Sequence, residues 1–235
     1  MKASLWAPTK QHITPAIIIP AAGLGRRMKS YGPKALIRCA NDEPLICRQI
    51  RLCREVFKNP WIVVVVGFGA DRIRKVLPSC VTTINNEQYE NTNVAYSIAT
   101  GLTATPPWLP ALILYGDLVF NKELLKAVDL SQSSIVLDPN RGRETEVGVT
   151  VVSDKATVFS YGLPSKWAHV ATLLPAEQAL FMKLMSEPHR RKHFGYEVLN
   201  EILERGGPLA ANTLAGIKLV EVDCSKDINR ARAIQ

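Results

Sequence analysis

The sequence predicts an α/β fold: a mainly parallel, mixed sheet flanked by helices in three layers. Two observations carry this. Short β-branched runs such as Ile17-Ile18-Ile19 and residues 61–66 end at glycine-containing turns, as strands buried on both faces do. Segments with helical spacing alternate with these runs through the first 137 residues, the order that βα units produce. Composition agrees: 47% hydrophobic and 21% charged residues over 235 positions suit a packed core and exclude a disordered chain.

Residues 1–14 are aperiodic and read as a short arm, followed by the first strand at 17–19. From Pro44, Leu45, Ile46, Gln49, Ile50, Cys53, Val56 and Phe57 recur at helical spacing, with Arg48, Arg51 and Arg54 opposite. Residues 61–66 form the second strand, 70–77 a short helix ended by Pro78, and 81–84 the third strand. A helix over 93–102, a strand over 111–115 and a helix over 122–128 follow, then strands over 134–137 and 147–152. Beyond Asp154 the pattern changes. Helices are expected over 175–185 and 196–205, flanking the basic stretch 189–193, which reads as a solvated loop. A strand over 217–222 and a helix over 225–233, capped by Ser225, close the chain.

The net charge of +8 suits a polyanionic partner. The longest apolar run, 16–24, is broken by Pro20 and Gly23 and falls short of the ~20 residues a membrane helix needs. The first eleven residues lack a basic-then-apolar leader pattern. Cys39, Cys47, Cys53, Cys80 and Cys224 are odd in number and form no CxxC pair, which predicts reduced thiols in a cytoplasmic protein.

The strongest chemical signal follows the first strand: Pro20-Ala21-Ala22-Gly23-Leu24-Gly25-Arg26-Arg27-Met28, then Pro33-Lys34. Glycines after a strand let backbone N–H groups approach a phosphate chain. Arg27 and Lys34 add positive charge suited to oxyanions at a phosphorus centre. GxxxxGK[ST] is absent, and Met28 stands where a dinucleotide fingerprint has its third glycine.

Gly23-x-Gly25-x-Arg27-Met28 with Pro33-Lys34 resembles the signature loop of nucleotidyltransferases with a GT-A-like, Rossmann-like fold. Residues 20–28 are similar to the methylerythritol-phosphate cytidylyltransferase loop, but that branch's Asp-Ala-Ala-Arg segment is replaced by Tyr115-Gly116-Asp117-Leu118. The latter resembles sugar-1-phosphate and choline-phosphate nucleotidyltransferases, and Asn86-x-x-Tyr89-x-x-Thr92-Asn93-x-x-x-Ser97 resembles the choline-phosphate type. The resemblance implies one nucleotidyltransferase domain, with a nucleotide-binding half at about 15–137 and an acceptor-binding half with a terminal metal-ligand segment at 138–235. It implies Arg27 and Lys34 as catalytic residues, and Ala21, Ala22, Gly23, Leu24, Gly25, Asn93 and Ser97 as nucleotide-binding residues. Thr92 or Asn93 serves equally well as a helix cap.

Asp117 follows a buried strand, where open parallel sheets bind ligands, and a carboxylate there can hold Mg²⁺. The segment Glu221-Val222-Asp223-x-x-x-Asp227 resembles the family's terminal motif, which implies Asp223 as the second metal ligand and leaves Asp227 to the helix dipole.

For the acceptor, Tyr161 and Trp167 flank Lys166: an aromatic wall for a quaternary ammonium group with a lysine for its phosphate, or else core packing. His169 shows no partner and reads as structural. The expected partners are a nucleoside triphosphate, CTP before UTP or dTTP, and a phosphocholine-like or sugar-phosphate acceptor, with room for a homodimer and no membrane. A sugar-1-phosphate uridylyl- or thymidylyltransferase is the alternative. A basic nucleic-acid-binding protein would need a Lys/Arg stripe with interleaved aromatics, and at 7% aromatic residues that pattern is missing.

Overall fold

The computed structural model describes residues 13–25, 28 and 32–234. Four strands form its parallel part: β1 (Ala16–Pro20), β2 (Trp61–Val66), β3 (Thr82–Asn85) and β4 (Ala111–Leu114), in spatial order β3-β2-β1-β4. Ile17 pairs with Ile62 on one side and Leu112 on the other.

Side chains alternate across this sheet and so feed two cores. Ile17 and Ile19 pack with α1 (Leu45–Val56), α2 (Ala70–Arg74) and α4 (Lys122–Lys126). Ile18 packs on the other face with α3 (Val94–Leu102), α5 (Pro175–Met185) and α6 (Gly195–Glu204). Double-sided burial is why β1, β2 and β4 read as apolar runs, while the edge strand β3 is partly exposed.

The second half departs from the parallel pattern. Strands β6 (Ser134–Arg141), β7 (Val147–Val152), β8 (Lys155–Tyr161), β9 (Ser165–Leu173) and β10 (Ala210–Asn212) form a closed circuit of pairings in the order β9-β6-β10-β8-β7 and back to β9. β9 runs antiparallel to β4 and β6 and joins this ring to the parallel sheet. β8 and β9 were not anticipated. Their signals are weak: the β7–β8 turn uses Ser153 and Asp154 at positive φ with no glycine, and a bulge at His169 breaks the alternation of β9. Arg190 also departs from expectation. It is buried in a 3-10 turn (Pro188–Lys192) and pairs with Glu201 at 2.8 Å.

A small two-stranded sheet sets the site. β5 (Leu118–Phe120) pairs antiparallel with β11 (Leu219–Glu221), Leu118 opposite Glu221. Asn121 fastens their far end: its side chain accepts from Lys218 N and donates to Gly216 O. β11 leads into α7 (Ser225–Arg232), capped by Cys224 rather than Ser225. Asp227 accepts from the backbone N–H groups of Asp223 and Cys224, satisfying two donors at the helix start.

Candidate active site

The segment Pro20–Gly25 leaves β1 at the carboxyl end of the parallel strands, held by Ala21 N donating to Val65 O at 2.8 Å. Gly25 turns the chain at φ +56, and Met28, buried in a third core, donates from its N to Gly25 O. No described atom lies within 4 Å of where a Cβ on Gly23 would stand, so the backbone at Gly23 is open among the described residues. Arg27 lies outside the described residues.

Lys34 begins a 3-10 turn (Lys34–Leu36) behind Pro33. Pro33 rests on Gly69, which sits at φ +66, and a Cβ there would lie 2.4 Å from Pro33 Cγ. The Lys34 ammonium donates to Asp117 Oδ2 at 3.0 Å and to Asp223 Oδ1 at 2.7 Å. Burial alone lowers the Lys34 pKa, but the two carboxylates outweigh it and hold the ammonium charged well above its usual range.

The β5–β11 pairing explains how Asp117 and Asp223 meet. Asp117 precedes β5, Asp223 follows β11, and Val222 N donates to Asp117 O at 2.9 Å. The same pairing brings in a residue that the sequence reading missed. Glu221, Asp117 and Asp223 each offer an oxygen within 4.8 Å of the other two. Residues i and i+2 of a strand share a face, so Glu221-Val222-Asp223 carried the signal. Burial, with Asp117 and Asp223 alongside, pushes the Glu221 carboxyl up to about 8.

His169 also belongs here, against the expectation of a structural role without a partner. Its Nδ1 lies 3.4 Å from Glu221 Oε2, and its ring stacks on Tyr115 at 5.1 Å. Its backbone is left-handed, at φ +55. Such strain in a non-glycine residue persists only where surrounding contacts hold it.

Asp117 Oδ1 is buried and has no hydrogen-bond partner among the described residues. An orphaned carboxylate oxygen beside two further carboxylates is a donor set that fits a hard divalent cation.

These groups border a cleft of about 900 Å³, which also takes in Ala21, Ala22, Gly23, Gly25, Asn93 and Ser97, whereas Leu24 does not line it. Asn93 caps α3. Its Oδ1 accepts from Val94 N at 2.8 Å and its Nδ2 donates to Lys192 O at 3.3 Å, so both ends of the amide are engaged with backbone. Ser97 Oγ accepts from Asn86 Nδ2 at 3.0 Å.

At the other end of the cleft, Lys166 is fixed between Asp138 (3.3 Å) and Glu146 (3.0 Å). Trp167 is only 2% exposed; its indole donates to Val170 O, and Tyr115, Phe159 and His169 pack on its ring. It borders the cleft from within the core. The aromatic surface open to a ligand belongs instead to Tyr161, 50% exposed, and Phe194, 44% exposed, joined through Tyr196.

The family model for the MobA-like NTP transferase domain matches residues 17–143. The Bifunctional protein GlmU of Paraburkholderia phymatum is 40% identical over 108 residues, 45% of this chain and 23% of that protein. Its namesake from Paraburkholderia phytofirmans is 36% identical over 103 residues, 43% of this chain and 22% of that protein. The aligned region thus spans about a quarter of the length of these curated relatives.

Among solved structures, the CTP:phosphocholine cytidylyltransferase LicC of Streptococcus pneumoniae superposes with a TM-score of 0.75 at 19% identity, covering 94% of this chain and 98% of that one. The inositol-1-phosphate CTP transferase of T. maritima gives 0.77 at 16% identity, covering 93% of each chain. A putative glucose-1-phosphate thymidylyltransferase of Bacillus anthracis gives 0.77 at 14% identity, covering 94% of each chain. At these identities the likeness establishes the fold.

Proposed function

We propose, from the premise that the chain belongs to the MobA-like NTP transferase domain family and is a nucleotidyltransferase, that it transfers a cytidylyl group from CTP to a small phosphorylated or phosphonate acceptor. The observation that carries this reading is the Lys34 ammonium seated between Asp117 and Asp223 beside the open backbone of Gly23.

An acceptor phosphate or phosphonate oxygen attacks the α-phosphorus, forming the new P–O bond as the bond to the β-phosphate oxygen breaks and pyrophosphate leaves. An ionised phosphate oxygen is already nucleophilic, so no general base is required. Catalysis rests on positioning and charge neutralisation. The backbone of residues 21–25 cradles the triphosphate, and Arg27 meets the departing pyrophosphate. Lys34 faces the α-phosphate and the incoming oxygen, the place where negative charge concentrates in transfer. Asp117, Asp223 and Glu221 are the residues that would hold Mg²⁺. Bound there, the ion supplies charge neutralisation to the phosphate oxygens. Asn93 and Ser97 line the same cleft and are the residues offered to the nucleotide's base.

The exposed faces of Tyr161 and Phe194 support a phosphocholine-like acceptor, since aromatic faces attract alkylammonium groups. The likeness to a glucose-1-phosphate thymidylyltransferase supports the second reading, a sugar-1-phosphate acceptor with UTP or dTTP. The cysteines are free thiols, which suits a reducing cytoplasm. Pyrophosphate release measured over four triphosphates crossed with choline, aminoalkyl and sugar phosphates tests the assignment. CTP-dependent release with a choline-type acceptor is expected. Release with UTP or dTTP and a sugar phosphate alone transfers the assignment to the second reading, and no release with any pair overturns both.

A further inference from the structure

We propose that Gln49, on the helix α1 behind the sheet, is a positioning residue for Asp117. This rests on the reading that Asp117 helps hold a divalent cation.

Gln49 is 1% exposed and has one visible task. Its Nε2 donates to Tyr115 O at 2.9 Å and to Leu118 O at 2.8 Å. Those carbonyls bracket Gly116-Asp117, and Leu118 N donates back to Tyr115 O to close the same turn. Both amide hydrogens are therefore committed to the backbone that carries Asp117. The amide oxygen is buried with no partner among the described residues. An amide leaving its own oxygen unsatisfied marks the two donated bonds as what fixes its orientation.

The turn is held from its other side as well. A Cβ on Gly116 would lie 2.6 Å from Pro20 O, so the Gly116-Asp117 backbone is pressed against the end of β1. The neighbouring Arg48, also buried, donates to Phe120 O and Ile234 O, tying the strand after Asp117 to the end of the helix after Asp223. Without the Gln49 bonds, Leu118 O loses its donor, Tyr115 O keeps only Leu118 N, and the turn is free to rotate toward other partners. A carboxylate set closed within 4.8 Å tolerates little such movement.

The test uses Mn²⁺ binding to the full chain, followed by electron paramagnetic resonance, so the readout does not depend on turnover. Wild type, Asp117→Asn, Gln49→Met and Ile50→Val are compared. Gln49→Met keeps length and volume but removes both donors. Ile50→Val loosens the same helix without touching those carbonyls. The expected result is Mn²⁺ binding weakened about tenfold in Gln49→Met and unchanged in Ile50→Val at a comparable loss of melting temperature. Gln49→Glu, which keeps at most one donor, is expected to be weakened too and replaces Gln49→Met if that variant does not fold. Gln49 variants within twofold of wild type, or Ile50→Val weakened as much as they are, overturn the proposal while Asp117→Asn still loses the ion. Wild type and Asp117→Asn binding alike overturns the metal reading and the proposal with it.

Discussion

The Lys34 ammonium lies 2.7 Å from Asp223 Oδ1, joining residues 189 positions apart. Lys34 thus bridges two of the clustered carboxylates, and in the proposed mechanism it also faces the reacting phosphates. Lys34→Ala is expected to lower turnover by about 10²–10³, the loss of one preorganised charge at a developing oxyanion. It also takes the Lys34 ammonium away from Asp117 and Asp223. Mg²⁺ should therefore raise the melting temperature of Lys34→Ala more than that of wild type. Differential scanning fluorimetry with and without Mg²⁺ reads this, and equal shifts would show that lysine and metal do not share the carboxylates.

Asp117→Asn and Asp223→Asn are each expected to abolish divalent-dependent turnover, with the double variant little worse than either single one. The Val222 N–Asp117 O bond ties the two segments into one unit, and residues that act as a unit lose activity non-additively. Initial rates of the three variants across a Mg²⁺ series decide it. Multiplicative losses would mean that the two carboxylates do not serve one ion.

Gly23 and Gly69 should separate chemistry from folding. Gly23 has no described atom within 4 Å of a prospective Cβ and does not sit at positive φ, so alanine fits. Gly23→Ala is expected to keep or slightly raise the melting temperature, since fewer unfolded states compete. It should weaken triphosphate binding at least tenfold, because the methyl group fills space the phosphates need. Gly69→Ala meets Pro33 at 2.4 Å and sits at φ +66, so it should destabilise by more than about 1 kcal/mol. Calorimetric titration with CTP beside thermal melts checks both. Undiminished CTP affinity in Gly23→Ala would remove the cradle.

In the parallel half, β1, β2 and β4 were legible because they are buried on two faces and followed by turns with glycine, whereas β3 is a partly exposed edge strand. Lys34, Asp117 and Asp223 were legible for a related reason, since each lies beside such a boundary and belongs to a motif. Glu221 and His169 were not. Glu221 reads as one charged residue in a short strand, and only the β5–β11 register sets it beside Asp117. His169 enters the site through a bulge in β9, a strand whose alternation that same bulge hides. Trp167 reads from the sequence as either ligand wall or core packing, and only its seat in β9 sets its ring, 2% exposed, among Tyr115, Phe159 and His169.

His169 offers a test of backbone strain. Both His169→Ala and His169→Gly lose the ring that stacks on Tyr115 and contacts Trp167. They differ in tolerance of φ +55, where glycine is unstrained and alanine is not. His169→Gly should therefore be more stable than His169→Ala by about 1 kcal/mol, the reverse of the usual order in a strand. Urea melts of the two variants measure it. Alanine matching or exceeding glycine would show that the left-handed conformation is not maintained.

The acceptor end divides its aromatics into two roles, and two variants tell them apart. Tyr161 is half exposed at the rim of the cleft, meeting Tyr196 edge to face at 5.7 Å. Little packing depends on it. Tyr161→Ala is therefore expected to leave the melting temperature nearly unchanged. It should raise the acceptor's Michaelis constant about two- to thirtyfold, corresponding to loss of a cation–π contact of about 0.5–2 kcal/mol, with that for CTP unaltered. Trp167 is 2% exposed among Tyr115, Phe159 and His169. Trp167→Ala should cost about 3–5 kcal/mol of stability, as large-to-small changes in packed cores do. Because Trp167 also props His169, its loss should depress turnover along with stability. Steady-state kinetics with each substrate varied in turn, beside urea melts, separates the two residues. An acceptor constant that ignores Tyr161→Ala would move the alkylammonium group away from this wall and favour an acceptor held by polar groups alone.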